Sequence, residues 1–120
     1  MELVEYKYIN DFSINKYIDN TIIINKFSHK KPIIYNQKEI ILFPVIKSNL
    51  IQLKDIESYL DRIDMILIGT GVDVILPDEG FIRVLHEQNK GLEFMNTTSA
   101  CKTHNLLLSE NRSFISILYP

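Results

Sequence analysis

Residues 65–68 read Met-Ile-Leu-Ile and run directly into Gly69-Thr70-Gly71. In an extended chain, consecutive side chains point to opposite sides. A continuously apolar stretch of this length therefore reads as a strand buried on both faces, inside a sheet that carries a layer on each side. The flanking sequence supplies such layers. Leu53–Arg62 places Leu53, Ile56, Leu60 and Ile63 on one face at helical spacing, ahead of a strand over Asp64–Gly69. Pro77-Asp78-Glu79 opens a second helix, with proline and acids in its first turn. Its core stripe reads Phe81, Ile82, Leu85 and His86, and Lys90-Gly91 reads as its C-cap. Leu92–Met95 is a short strand, Thr97-Thr98-Ser99 offer N-cap oxygens, Ala100–Glu110 is a helix and Ser113–Leu118 a last strand.

The first half of the chain has a different texture, rich in β-branched residues. Phe12–Ile18 and Thr21–Phe27 flank the two-residue turn Asp19-Asn20 and predict a hairpin. Ile33–Tyr35 and Glu39–Val45 flank Asn36-Gln37-Lys38 and predict a second, with Pro32 and Pro44 at the ends of the runs. Alternating strands and helices close into a sheet with helices on its faces. The expected fold is thus α/β: one domain over residues 1–120, a three-layer sandwich with a mixed central sheet and N-terminal β-hairpins.

Composition narrows the function classes. The chain has 120 residues, 46% hydrophobic and 23% charged, with a formal net charge of −2. That balance argues against a nucleic-acid protein held by a basic face and against a polybasic membrane-surface protein. Cys101 is the single cysteine, so neither an intrachain disulfide nor a multi-cysteine metal site is available. The opening MELVEYKYINDFSIN has no basic region followed by an apolar run, and no stretch is apolar for long enough to span a bilayer. A cytoplasmic location is expected, with no transmembrane segment, no metal and no cofactor.

Open α/β sheets place ligand sites beyond the carboxyl ends of their strands. Two such ends carry unusual residues: Gly69-Thr70-Gly71, and Asn96-Thr97-Thr98-Ser99-Ala100-Cys101. Glycines permit positive φ and close backbone approach, although the third glycine of a dinucleotide fingerprint is missing. Hydroxyls at a helix N-terminus can hold a carboxylate or phosphate, or simply cap the helix. Cys101 and His104 share a helix face, which would suit a nucleophile and its base. The plainer reading makes Cys101 a small buried hydrophobe and His104 a surface or pocket-wall residue.

These segments together resemble a known family. Met65–Gly71 is similar to the family's apolar strand ending in Gly-Thr-Gly. Gly91–Leu107 is similar to its second signature: a glycine, a short strand, Asp-Thr, then Ala-Cys-x-Thr-Tyr/Phe-Asn before a leucine-rich helix. Glu110-Asn111-Arg112 matches a following Glu-x-Arg, and Ile115–Pro120 matches a closing apolar strand and proline. The family is domain of unknown function 498, which includes the mitochondrial respiratory complex I assembly factor 3 and uncharacterised bacterial and archaeal proteins. The resemblance implies the three-layer α/β fold. For the mitochondrial member it implies a non-catalytic role, binding other assembly factors. Asn96 stands for the usual Asp, Thr98 and Ser99 for a Gly/Pro-Ala/Asn pair, and His104 for an aromatic residue.

The expected function is a non-catalytic binding or assembly-factor domain with proteins as partners. Its crevice would be built from Gly69, Thr70, Gly71, Asn96, Thr97, Thr98, Ser99, Cys101 and His104, with no catalytic residue assigned. The alternative is a small-anion-binding protein or a thiol-dependent enzyme using the same crevice.

Overall fold

Tight turns shape the first part of the chain. The computed structural model describes residues 12–120; the targeting expectation rests mainly on residues 1–11, outside the described residues. Strands β1 (Lys16–Ile18), β2 (Thr21–Ile24) and β3 (Phe27–His29) form an antiparallel three-stranded sheet. Asp19 and Asn20 both take left-handed φ (52° and 54°), the conformation whose twist suits a two-residue hairpin turn. Asn25 and Lys26 do the same (51° and 73°). The expected second arm, Thr21–Phe27, is therefore two strands rather than one. Lys26 lacks the turn signature of glycine or asparagine, and its apolar neighbours disguise the break.

The larger sheet has five strands. β4 (Ile33–Tyr35) and β5 (Ile40–Leu42) form the second expected hairpin, and β6 is Met65–Gly69. β7 (Gly91–Met95) and β8 (Phe114–Leu118) complete it, in the order β5-β4-β8-β6-β7. β6 runs parallel to β7 and β8, whereas β4 is antiparallel to β5 and β8, so the sheet is mixed. The helices are α1 (Leu53–Ile56), α2 (Glu79–Glu87) and α3 (Thr97–Ser109). The expected helix over Leu53–Arg62 is α-helical only in its first turn and continues as a 3₁₀ helix over Glu57–Arg62. Asp55 caps that first turn by accepting the Gln52 N–H at 2.8 Å, but Ser58, Tyr59 and Asp61 are weak helix formers.

α2 begins as expected: the Asp78 side chain accepts the Phe81 N–H at 3.1 Å. It buries Phe81 and Leu85, while Ile82 is half-buried and His86 is exposed, outside the predicted stripe. The helix end also differs. Asn89 takes the left-handed conformation (φ 58°), and Gly91 is already the first residue of β7.

Side-chain alternation divides the core into two layers. Met65 and Leu67 of β6, Phe114 and Leu118 of β8, and Ile33 and Tyr35 of β4 face α3 and the small sheet. Ile66, Ile68, Ile115, Ile117 and Ile34 face the other way, against Ile56, Leu60, Phe81 and Leu85. Every residue of β6 and β8 is buried, which explains the uninterrupted apolar run. Leu67→Ala is expected to destabilise the protein by about 3 kcal/mol through lost burial and a residual cavity. Equilibrium urea unfolding should show a lower midpoint at an unchanged slope.

Candidate functional site

The carboxyl ends of β6, β7 and β8 lie along one edge of the sheet, and the two motif loops meet there. The Thr70 N–H donates to Met95 O (2.8 Å), the Thr97 N–H to Gly71 O (2.8 Å) and the Tyr119 N–H to Gly69 O (2.9 Å). At the centre is the Thr97 hydroxyl. It accepts from the Gly71 N–H at 2.8 Å and donates to Tyr119 O at 2.6 Å, and Thr97 is fully buried. One hydroxyl thus joins the ends of three chain segments. Close approach requires Gly69: a Cβ there would stand 2.9 Å from Ala100 Cβ and 3.0 Å from Thr97 Oγ1. Gly71 has φ +103°, a conformation that strains any side chain. The Thr70 hydroxyl folds the next loop, donating to Asp73 O at 2.6 Å and accepting from the Ile75 N–H at 3.2 Å.

α3 starts at Thr97, three residues before the expected Ala100, and Asn96 caps it by accepting the Ser99 N–H at 2.9 Å. Thr97 cannot cap because its hydroxyl is turned inward. An aspartate at position 96 would offer the same oxygen, so the Asn96 departure preserves the cap. Thr98 and Ser99 are exposed. The amides of Thr97, Ser99 and Ala100 are taken by Gly71 O, Asn96 Oδ1 and Asn96 O, leaving little of this helix end for an anion.

Cys101 and His104 do not form a reactive pair. Burial pushes the Cys101 thiol up to about 12, the opposite of what a nucleophile needs. His104 is also fully buried, not on a surface or pocket wall. Its Nε2 lies 3.1 Å from Phe12 O and its Nδ1 lies 2.7 Å from Ser116 Oγ. A carbonyl only accepts, so Nε2 carries the proton and Nδ1 accepts from the Ser116 hydroxyl. The ring stacks on Tyr35 (centroids 4.9 Å apart) and meets Phe114 edge-on at 5.2 Å. His104 therefore occupies a slot suited to an aromatic ring. Burial outweighs the bond to Phe12 O and pushes its pKa down to about 4.

Asn105, the closing residue of the Ala-Cys-x-Thr-Tyr/Phe-Asn signature but not one of the expected crevice residues, completes this arrangement. Its Oδ1 accepts the Ile14 N–H at 2.7 Å and its Nδ2 donates to Ile14 O at 2.9 Å. Its signal was its place in that signature, a polar amide directly ahead of three leucines. Together, His104 and Asn105 hold the backbone of residues 12–14 against α3. Among the described residues, no group of three His, Cys, Asp or Glu side chains could hold a metal ion, and no helix is long and apolar enough to cross a membrane.

Two measurements test this geometry. Thr97→Val orphans a buried N–H and a buried carbonyl and should cost about 2–4 kcal/mol in urea unfolding, whereas Thr97→Ser should cost much less. For His104, the unfolded chain takes up a proton near pH 6.5 and the folded chain only near pH 4. Its contribution is present above pH 6.5 and is lost as pH falls towards 4, about 3 kcal/mol in all. Stability measured across that window should fall more steeply for the wild type than for His104→Phe.

Comparison with known proteins places this geometry in a family. A 13 kDa major membrane protein of Francisella tularensis is 30% identical over 123 residues, covering 98% of each chain. The NADH dehydrogenase [ubiquinone] 1 alpha subcomplex assembly factor 3 of Xenopus tropicalis is 32% identical over 59 residues, 49% of this chain and 32% of that protein. A crystal structure from Bordetella parapertussis superposes with a TM-score of 0.81 at 25% identity, covering 90% of this chain and 94% of that one. Residues 14–119, which include the Thr97 junction and the His104–Asn105 pair, match the model for the protein of unknown function family DUF498/DUF598, and the chain belongs to that family.

Proposed function

We propose that this chain is a non-catalytic binding domain that docks another protein at the edge carrying Gly69–Gly71 and Asn96–Ser99. We read residues 1–120 as one unit acting in the cytoplasm, where a free cysteine such as Cys101 is at home. The observation that carries the reading is the loop after Gly71. Val72, Val74 and Leu76 are exposed by 66%, 58% and 69%, on a loop held in place by the Thr70 hydroxyl. Apolar side chains held out from a fixed loop suit a protein contact. Asp73, Asp78 and Glu79 are exposed around them, which favours a partner surface that is apolar with a basic rim. The name of the Xenopus relative supports a protein partner, such as another assembly factor or a respiratory-complex subunit. The raised Cys101 thiol and the occupied amides of α3 count against a thiol enzyme or an anion site at this edge.

A photo-crosslinking residue at Val74, in the native cell, should yield a discrete adduct that is absent when the probe sits at exposed Lys54. Val72→Ser with Val74→Ser and Leu76→Ser should abolish that adduct, and Cys101→Ser should leave it intact. Absence of an adduct together with turnover of a small substrate would overturn the reading.

A further inference from the structure

At the opposite edge of the sheet, the turn between β4 and β5 faces the 3₁₀ segment ahead of β6 across a cleft of about 460 Å³. That volume is in the range of small-molecule sites, about 300–1,000 Å³. Lys38 lines it from the turn, and Ser58, Tyr59, Asp61 and Arg62 line it from the facing wall. None of these side chains is engaged by another described residue through a hydrogen bond or an ion pair. The backbone around them is nonetheless secured. Asn36 Oδ1 accepts the N–H groups of Lys38 (3.1 Å) and Glu39 (2.9 Å). Gln37 Nε2 donates to Arg112 O at 3.2 Å, and the Ser113 hydroxyl donates to Arg62 O. Both walls are thus clipped to the Glu110–Ser113 corner, whose charged residues the docking edge does not use.

We propose that this cleft binds a small phosphorylated, hydroxyl-bearing compound such as a sugar phosphate. Lys38 and Arg62 approach from opposite walls and bracket a phosphate group, and a guanidinium grips two of its oxygens at once. Asp61 is a poor neighbour for a bare anion but accepts hydrogen bonds from hydroxyl groups. Ser58 and Tyr59 add hydroxyls for the same part of the ligand. The combination selects a ligand with both features. This site is independent of the docking edge and goes beyond the function proposed for it.

The test is a two-dimensional NMR titration of the full chain with glucose 6-phosphate, inorganic phosphate and glucose in parallel, each to about 10 mM. Glucose 6-phosphate should shift the amides of residues 37–38 and 58–62. Lys38→Ala and Arg62→Ala should each weaken its Kd at least about tenfold while resonances elsewhere stay unmoved, reporting an intact fold. Inorganic phosphate should bind more weakly than glucose 6-phosphate, and glucose more weakly still. The proposal is overturned if glucose 6-phosphate leaves these amides unshifted or if both variants bind it as well as the wild type. Equal binding of inorganic phosphate or of glucose overturns it too.

Discussion

The hydroxyl of Thr97 is the junction on which the architecture depends. A parallel sheet fed by helices must bring each strand end close to the start of another connection. Here β6, β8 and α3 converge on one side chain, which accepts from Gly71 and donates to Tyr119. In a fully buried place, each of those backbone groups would otherwise lack a partner. Gly69 follows from the same constraint, because the approach of Thr97 and Ala100 leaves no room for a Cβ. The Gly-Thr-Gly and Asn-Thr segments are two halves of one joint, and their residue types answer to its geometry.

α3 has a second duty two turns further on. His104 and Asn105 bind the backbone of residues 12–14, tying the start of the described chain to the helix that covers the sheet. An imidazole serves there as an aromatic ring with two polar corners: it stacks on Tyr35, meets Phe114 and satisfies Ser116. Cys101, on the same helix, is a buried hydrophobe. A cysteine and a histidine three residues apart look like chemistry when read along a helix. The ring's actual partners belong to other segments, and burial moves both groups away from reactivity.

Two edges of the sheet consequently have different characters. The carboxyl edge is sealed by backbone bonds and presents apolar side chains outward, which suits a partner surface. The amino edge, where the β4–β5 turn meets the 3₁₀ segment, is open and polar, with charges on both walls that no other described residue engages.

Much of this was legible in the residues. The apolar run at 65–68 required cover on both faces, and the sheet carries a helical layer on one and α3 with the small sheet on the other. The strands and helices of the second half follow from periodicity, because a buried face imposes its period on the side chains that fill it. Local propensity was less decisive where signals were weak. The turn at Asn25-Lys26 lacks glycine, and the 53–62 helix tightens where weak helix formers follow its first turn. The sequence by itself determined the layers and the two motif loops at strand ends, while the sheet topology brought those loops together. Only the tertiary structure decided that Thr97 turns inward while Asn96 caps, that His104 bonds Ser116 and Phe12 rather than pairing with Cys101, and that Asn105 grips the backbone of Ile14. A side chain's hydrogen-bond partner is set by which segments the fold brings within about 3 Å, and periodicity carries no record of that.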